Sequence, residues 1–256
     1  MASDRDGSMS SALVLLALAM LLQLIVSFFG VGSSLSYVIL LQTVCFLIPA
    51  LFYLWRFPSN ERVFSLRLLR RWFLVFSFVA GLALNGVVSI LTAWLERWIP
   101  PFGYVLETRA FLLELFVAER PCEWISILFV GAVFVGFCEE VLFRGAIMAP
   151  FERRMSPGAA NGIVATLFAL VHLDPWSFPG IFALGLFFGR VRLRSGSCWP
   201  AVAAHAGANV GGIFLMNREI DLLDSGCMIL LSSGLVFVFL YRIFLGRRPC
   251  PARLAS

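Results

Sequence analysis

The chain contains no lysine: all 20 of its basic residues are arginine, in 256 residues of net charge +5. Charge is scarce altogether, 14% of residues against 60% hydrophobic, and mean hydropathy is +0.91. A soluble core of this length could not cover so much apolar surface, so lipid is the expected solvent. The arginines form no aromatic-interleaved patch, which argues against a nucleic-acid partner. The six cysteines, Cys45, Cys122, Cys138, Cys198, Cys227 and Cys250, make no CxxC pair. Most lie in apolar runs and read as small buried hydrophobes rather than as a disulfide or zinc framework. Histidine is scarcer still, with only His172 and His205.

What is abundant is uncharged length. No charge occurs from Gly7 to Trp55, and GVGSS at 30–34 divides that run into spans at about 11–31 and 35–55. The first is too long for a signal h-region and lacks a convincing cleavage site, so it reads as a retained anchor. Further spans are expected at about 72–95, 124–150, 158–173, 178–191, 198–216 and 225–245. The expectation is an all-α polytopic membrane protein of about eight helices around an intramembrane polar cavity, with both termini inside. Under that topology 16 of the 20 arginines fall on inner segments, and nine acids accompany the four outer ones, Arg97, Arg109, Arg120 and Arg218. Dropping one span destroys the asymmetry. The segments 62–72 and 107–120 read equally as amphipathic helices on the two membrane surfaces or as solvated connectors. The chain divides into 1–123, N-terminal helices and loops; 124–216, a core; and 217–256, a last helix and basic tail.

Into this apolar background CEEVLFRGA (138–146) puts two acids and an arginine, after 14 uncharged residues from Ile125 to Cys138. A charge at such depth costs on the order of 3 kcal/mol or more, so it needs a partner or a wet cavity. Glu140 and Arg144 lie one turn apart and form an i,i+4 pair. Glu139 points about 100° from Glu140 and about 140° from Arg144, and so faces something else. Both histidines also fall within spans, in LFALVHL and AVAAHAGANVGG. Asn209 follows His205 by one turn. At ~1.5 Å per residue from the inner ends, Glu139 and Asn209 lie about 16 Å deep, His205 about 10 Å and His172 about 21 Å. The small residues Ala204, Ala206, Gly207, Ala208, Gly211 and Gly212 allow close helix packing, and they also leave room beside the His205–Asn209 face.

A carboxylate, two imidazoles and an amide in one membrane cavity suit water activation and oxyanion stabilisation. Glu139 would act as general base, with an amide and an imidazole N–H as donors. HExxH, GxGD and a GxSG with a partner histidine are all missing. A cysteine nucleophile has little support, because Cys138 sits among apolar residues beside two acids that oppose thiolate formation.

Three motifs then stand in order: Glu139 to Arg144 as EExxxR, Phe168 to His172 as FxxxH, and His205 to Asn209 as HxxxN. Together, over about residues 124–216, they resemble the CAAX protease and bacteriocin-processing family of intramembrane endopeptidases, which includes CAAX prenyl endopeptidases and abortive-infection proteins. The resemblance implies that Glu139 activates water and that His172 orients it. It makes His205 and Asn209 the oxyanion-side pair, with Glu140 and Arg144 holding the helix and Phe168 and Phe143 walling the cavity. It leaves open both a zinc ion held by Glu139, His172 and His205 and a metal-free, glutamate-activated water. The expected partners are the lipid bilayer and a peptide or lipidated-protein substrate, and the expected location is a bacterial inner membrane. Rival readings are a proton- or ion-coupled transporter, against which no inverted repeat is visible, and a non-catalytic scaffold or immunity protein of the same fold.

Overall fold

The computed structural model describes residues 7–28, 34–58, 71–218, 233–238 and 241–242. Its helices are α1 (Met9–Phe28), α2 (Leu35–Arg56), α3 (Arg71–Trp98), α4 (Tyr104–Phe116), α5 (Glu123–Glu152), α6 (Pro157–Leu170), α7 (Phe178–Ser195) and α8 (Trp199–Met216). Among the described residues there is no strand. Helices α1, α2, α3 and α5 are long and apolar enough to cross a membrane, and α6 is a shorter apolar helix. Length and composition thus support four of the eight expected spans. Of the eighth, at 225–245, only residues 233–238 and 241–242 are described, and they are helical; the rest of it and most of the amphipathic segment at 62–72 lie outside the described residues.

Local chemistry sets the helix ends. At α1, Ser11 N donates to Ser8 Oγ at 3.1 Å and Ser8 N to Ser11 Oγ at 2.8 Å, a reciprocal cap for first-turn donors. Ser156 caps α6 by accepting from Ala159 N, with Pro157 as the first helical residue, where its missing N–H costs nothing. Helix α7 stops at Gly196, whose φ of 69° closes the last turn. Two helices are not regular. Residues Gln42–Leu47 of α2, and Leu128–Phe134 and Val141–Ile147 of α5, are π-helical, the wider turn that recurs at functional sites.

The share of each span buried rises from 22% in α1 through 33% in α2 and 39% in α3 to 56% in α5, making α5 the inner helix of the four. Large apolar side chains such as Val14, Leu24, Phe52, Trp55 and Val75 point outward, where the missing solvent is lipid rather than water. Helix α8 packs most extensively on α3 and also meets α5 and α7. The α3–α8 seam is backbone against backbone. A Cβ on Gly81 would collide with the Ala204 carbonyl, and one on Gly207 with the Phe78 carbonyl. Close packing therefore accounts for Gly207, while Ala208 and Gly212 border an open space.

Candidate active site

Helix α5 brings Glu139, Glu140 and Arg144 into the bundle, where they are 7%, 0% and 0% exposed. Arg144 Nη1 donates to Glu140 Oε1 at 2.9 Å and Nη2 to the Gly185 carbonyl of α7 at 2.7 Å. Its guanidinium lies over the ring of Phe168, 4.7 Å from the centroid, and near that of Phe188 at 5.6 Å. An anion, a carbonyl and two aromatic faces thus replace the water this cation has lost.

Helix α8 adds His205. Its Nδ1 lies 3.0 Å from Glu140 Oε1, and its Nε2 lies 3.8 Å from Glu139 Oε2. Glu140 Oε1 already accepts from Arg144, and as acceptor toward His205 it places the proton on Nδ1 and leaves Nε2 on the face toward Glu139. Phe188 stacks on the imidazole at 4.7 Å and fixes the ring plane. Phe168 stands edge-on to Phe143, His172 and His205 at 5.1, 4.9 and 5.7 Å.

Glu139 faces the other way, into a cavity of about 1040 Å³ that His172 and Asn209 also line. His205 is not among the cavity-lining residues and stands one layer behind Glu139. His172 Nδ1 meets the Phe168 carbonyl at 2.7 Å, one turn back, while Asn209 Nδ2 donates to the Gly131 carbonyl at 3.2 Å. Four of the six polar residues picked out in the sequence, Glu139, Glu140, Arg144 and His205, are thus joined by direct contacts. His172 and Asn209 share the cavity with Glu139.

Sequence reasoning missed Gln42 and Phe188. Gln42, in α2, donates from Nε2 to Glu139 Oε1 at 3.2 Å. A readable signal existed, since an amide inside an uncharged membrane run needs a partner. For Phe188 there was none among 26 phenylalanines.

The cavity's far end has a second charged group. Arg109 of α4 donates to Glu96 Oε1 at 2.6 Å and to Asp174 Oδ2 at 2.9 Å. Burial is the largest single effect on both Arg109 and Asp174 and opposes their charge, but the surrounding partners together outweigh it: Asp174 and Glu96 for the arginine, Arg109 and Ser177 for the carboxylate. The Arg109 pKa is raised and that of Asp174 lies below the usual carboxylate value. Asp174 also accepts from Trp176 N and Ser177 N, capping the entry to α7. Between Asp174 and His172 stands Leu173 at φ 53°, in the left-handed region, with its carbonyl bonded by the Tyr104 hydroxyl at 2.7 Å. The turn after His172 is therefore strained and tied to α4 through Tyr104 and Arg109.

Among the described residues no three His, Cys, Asp or Glu side chains form a group that could hold a metal ion. His172 and His205 each commit Nδ1 to an oxygen acceptor and leave Nε2 free, but Glu139, His172 and His205 are not gathered into such a group in this arrangement.

Membrane-length apolar helices around a buried acid–arginine–imidazole cluster point to an integral membrane protein, all-helical among the described residues, with an ionisable site inside it. A family model, that of the type II CAAX prenyl endopeptidases, Rce1-like, matches residues 121–211, which contain all three motifs. The match supports membership of the CAAX protease and bacteriocin-processing family and implies a protease. No curated protein and no solved structure matches the chain.

Proposed function

We propose that the protein is an intramembrane endopeptidase that hydrolyses peptide bonds of membrane-associated or lipidated substrates, with Glu139 as the base. The observation that carries this reading is Glu139 Oε2: buried, without a hydrogen-bond partner, on a residue that lines a cavity together with His172 and Asn209. Glu139 takes a proton from water as the water oxygen attacks the scissile carbonyl. His172 orients that water, and the Asn209 amide donates to the developing oxyanion. His205 links Glu139 to Glu140. With Nδ1 on Glu140 and Nε2 turned to Glu139, it acts on the substrate through Glu139 rather than by direct contact with the oxyanion. Glu140 and Arg144 brace α5, and Phe168 and Phe143 wall the polar cluster. No step passes through a metal, because the residues do not converge as ligands.

The core is residues 124–216, within an eight-span chain whose ends both face the inside of a bacterial inner membrane. The arginine asymmetry supports that orientation. The test is cleavage of a quenched-fluorescent peptide panel, prenylated CAAX peptides included, by the wild type and Glu139→Ala, each with and without a strong zinc chelator. Cleavage by the wild type, lost in the variant, is the expected result. Equal cleavage by both removes Glu139 from the mechanism, and chelator sensitivity would bring a metal into it.

A further inference from the structure

Gln42 opens the π-helical stretch of α2, is 7% exposed and lines the cavity with Glu139. Its Nε2 donates to Glu139 Oε1 at 3.2 Å. The opposite amide orientation would set a carbonyl against a carboxylate, so the chemistry of the pair fixes which atom faces the acid. Two buried atoms are then left over, Gln42 Oε1 and Glu139 Oε2. Neither has a hydrogen-bond partner, although Glu139 Oε2 lies 3.8 Å from His205 Nε2. Both are acceptors, on side chains that line one cavity and are joined through their other ends. Buried acceptors are costly to leave unbonded, and one water supplies two O–H donors while keeping its own lone pairs free.

We propose that Gln42 is a catalytic residue that holds the attacking water jointly with Glu139. This rests on the reading of Glu139 as the base. One water proton points to Glu139 Oε2 and the other to Gln42 Oε1, which leaves an oxygen lone pair for the scissile carbonyl. As the C–O bond forms, the carbonyl π pair moves to its oxygen and Glu139 takes the first proton. The second stays on the new hydroxyl, still bonded to Gln42, because an amide cannot accept it. Collapse of the intermediate breaks the C–N bond, and the proton on Glu139 leaves with the amine. Gln42 Nε2 keeps the carboxyl in place throughout. The working site thus extends to a helix outside residues 121–211, the range that the family model matches.

The test compares the full-length wild type with Gln42→Leu, which deletes both polar atoms, and with isosteric Gln42→Glu, each first checked for unchanged thermal unfolding. The expected result is a fall in kcat of roughly 100-fold, as for a misplaced reactant, with KM within about twofold, as expected when only the transition state loses a contact. A raised KM at unchanged kcat would mean that Gln42 binds substrate instead, and would overturn the proposal. A second readout needs no turnover. In D2O, the infrared O–D stretch of a tightly held water should vanish in both Gln42→Leu and Glu139→Gln. If the wild type cleaves nothing, the peptidase reading has failed, and this band alone decides whether a water stands between the two side chains. A band unchanged by Gln42→Leu overturns the proposal.

Discussion

Among the arginine–carboxylate clusters of the described residues, two have opposite surroundings. Arg144, with Glu140 and His205, is sealed in the bundle, the ion pair at 0% exposure on both sides. Arg109, between Glu96 and Asp174, keeps 28%, 26% and 19% of the three side chains accessible. In the wet cluster, water screens the attraction and will solvate any group that loses its partner. In the dry one, an orphaned charge has nowhere to go. The same chemistry therefore makes a replaceable tie at the cavity rim and an indispensable one in the core.

The comparison breaks first at Arg144. Arg144→Met should destabilise by about 3–5 kcal/mol, because it strands Glu140; a chemical-denaturant titration in detergent measures this. Glu140→Gln combined with Arg144→Met should recover part of the loss, and a double variant no better than the single one would show that the ion pair is not the cause. Next comes Gly207→Ala, which drives a methyl into the Phe78 carbonyl. A cost of about 1–3 kcal/mol is expected, with the α3–α8 seam opening in hydrogen exchange.

At the rim the effect shrinks. Asp174→Asn should cost about 1 kcal/mol or less at neutral pH. Since the folded-state pKa of Asp174 lies below its unfolded value, this stabilisation is present above the unfolded pKa of about 3.9. It is lost as pH falls through the lower folded value. Wild type and variant should therefore unfold alike in strong acid, and a persistent gap there would contradict the assignment. The smallest change is Leu173→Gly. Glycine adopts φ 53° without strain, so a gain of at most about 1 kcal/mol is expected, read as a small rise in Tm.

Much of the fold was legible because membrane helices announce themselves by length and apolarity, as α1, α2, α3 and α5 do. The Glu140–Arg144 pair was legible for a different reason: i,i+4 neighbours meet whatever surrounds them. Contacts between helices were not. That His205 stands behind Glu139 while His172 reaches the cavity depends on how α6 and α8 pack, and depth counting, at about 10 Å for His205 and about 21 Å for His172, does not say which way either ring faces. The Gln42–Glu139 bond joins residues 97 positions apart, which periodicity within either helix cannot reveal. The small residues of α8 carried two meanings in the sequence, and only the position of α3 separates Gly207, which it covers, from Gly212, which borders the cavity.

The π-helical stretches in α5 also bear on how the chain can change over generations. Such a turn amounts to one surplus residue in an otherwise regular spiral. Deleting one residue from Leu128–Phe134 would let the spiral close as an ordinary α-helix with Glu139 still on its present face. The same deletion a turn later, in the α-helical residues 135–138, would swing Glu139 by about 100° relative to the span before it. A three-nucleotide deletion is thus absorbed in one stretch of α5 and dismantles the centre in the next, a difference invisible to composition.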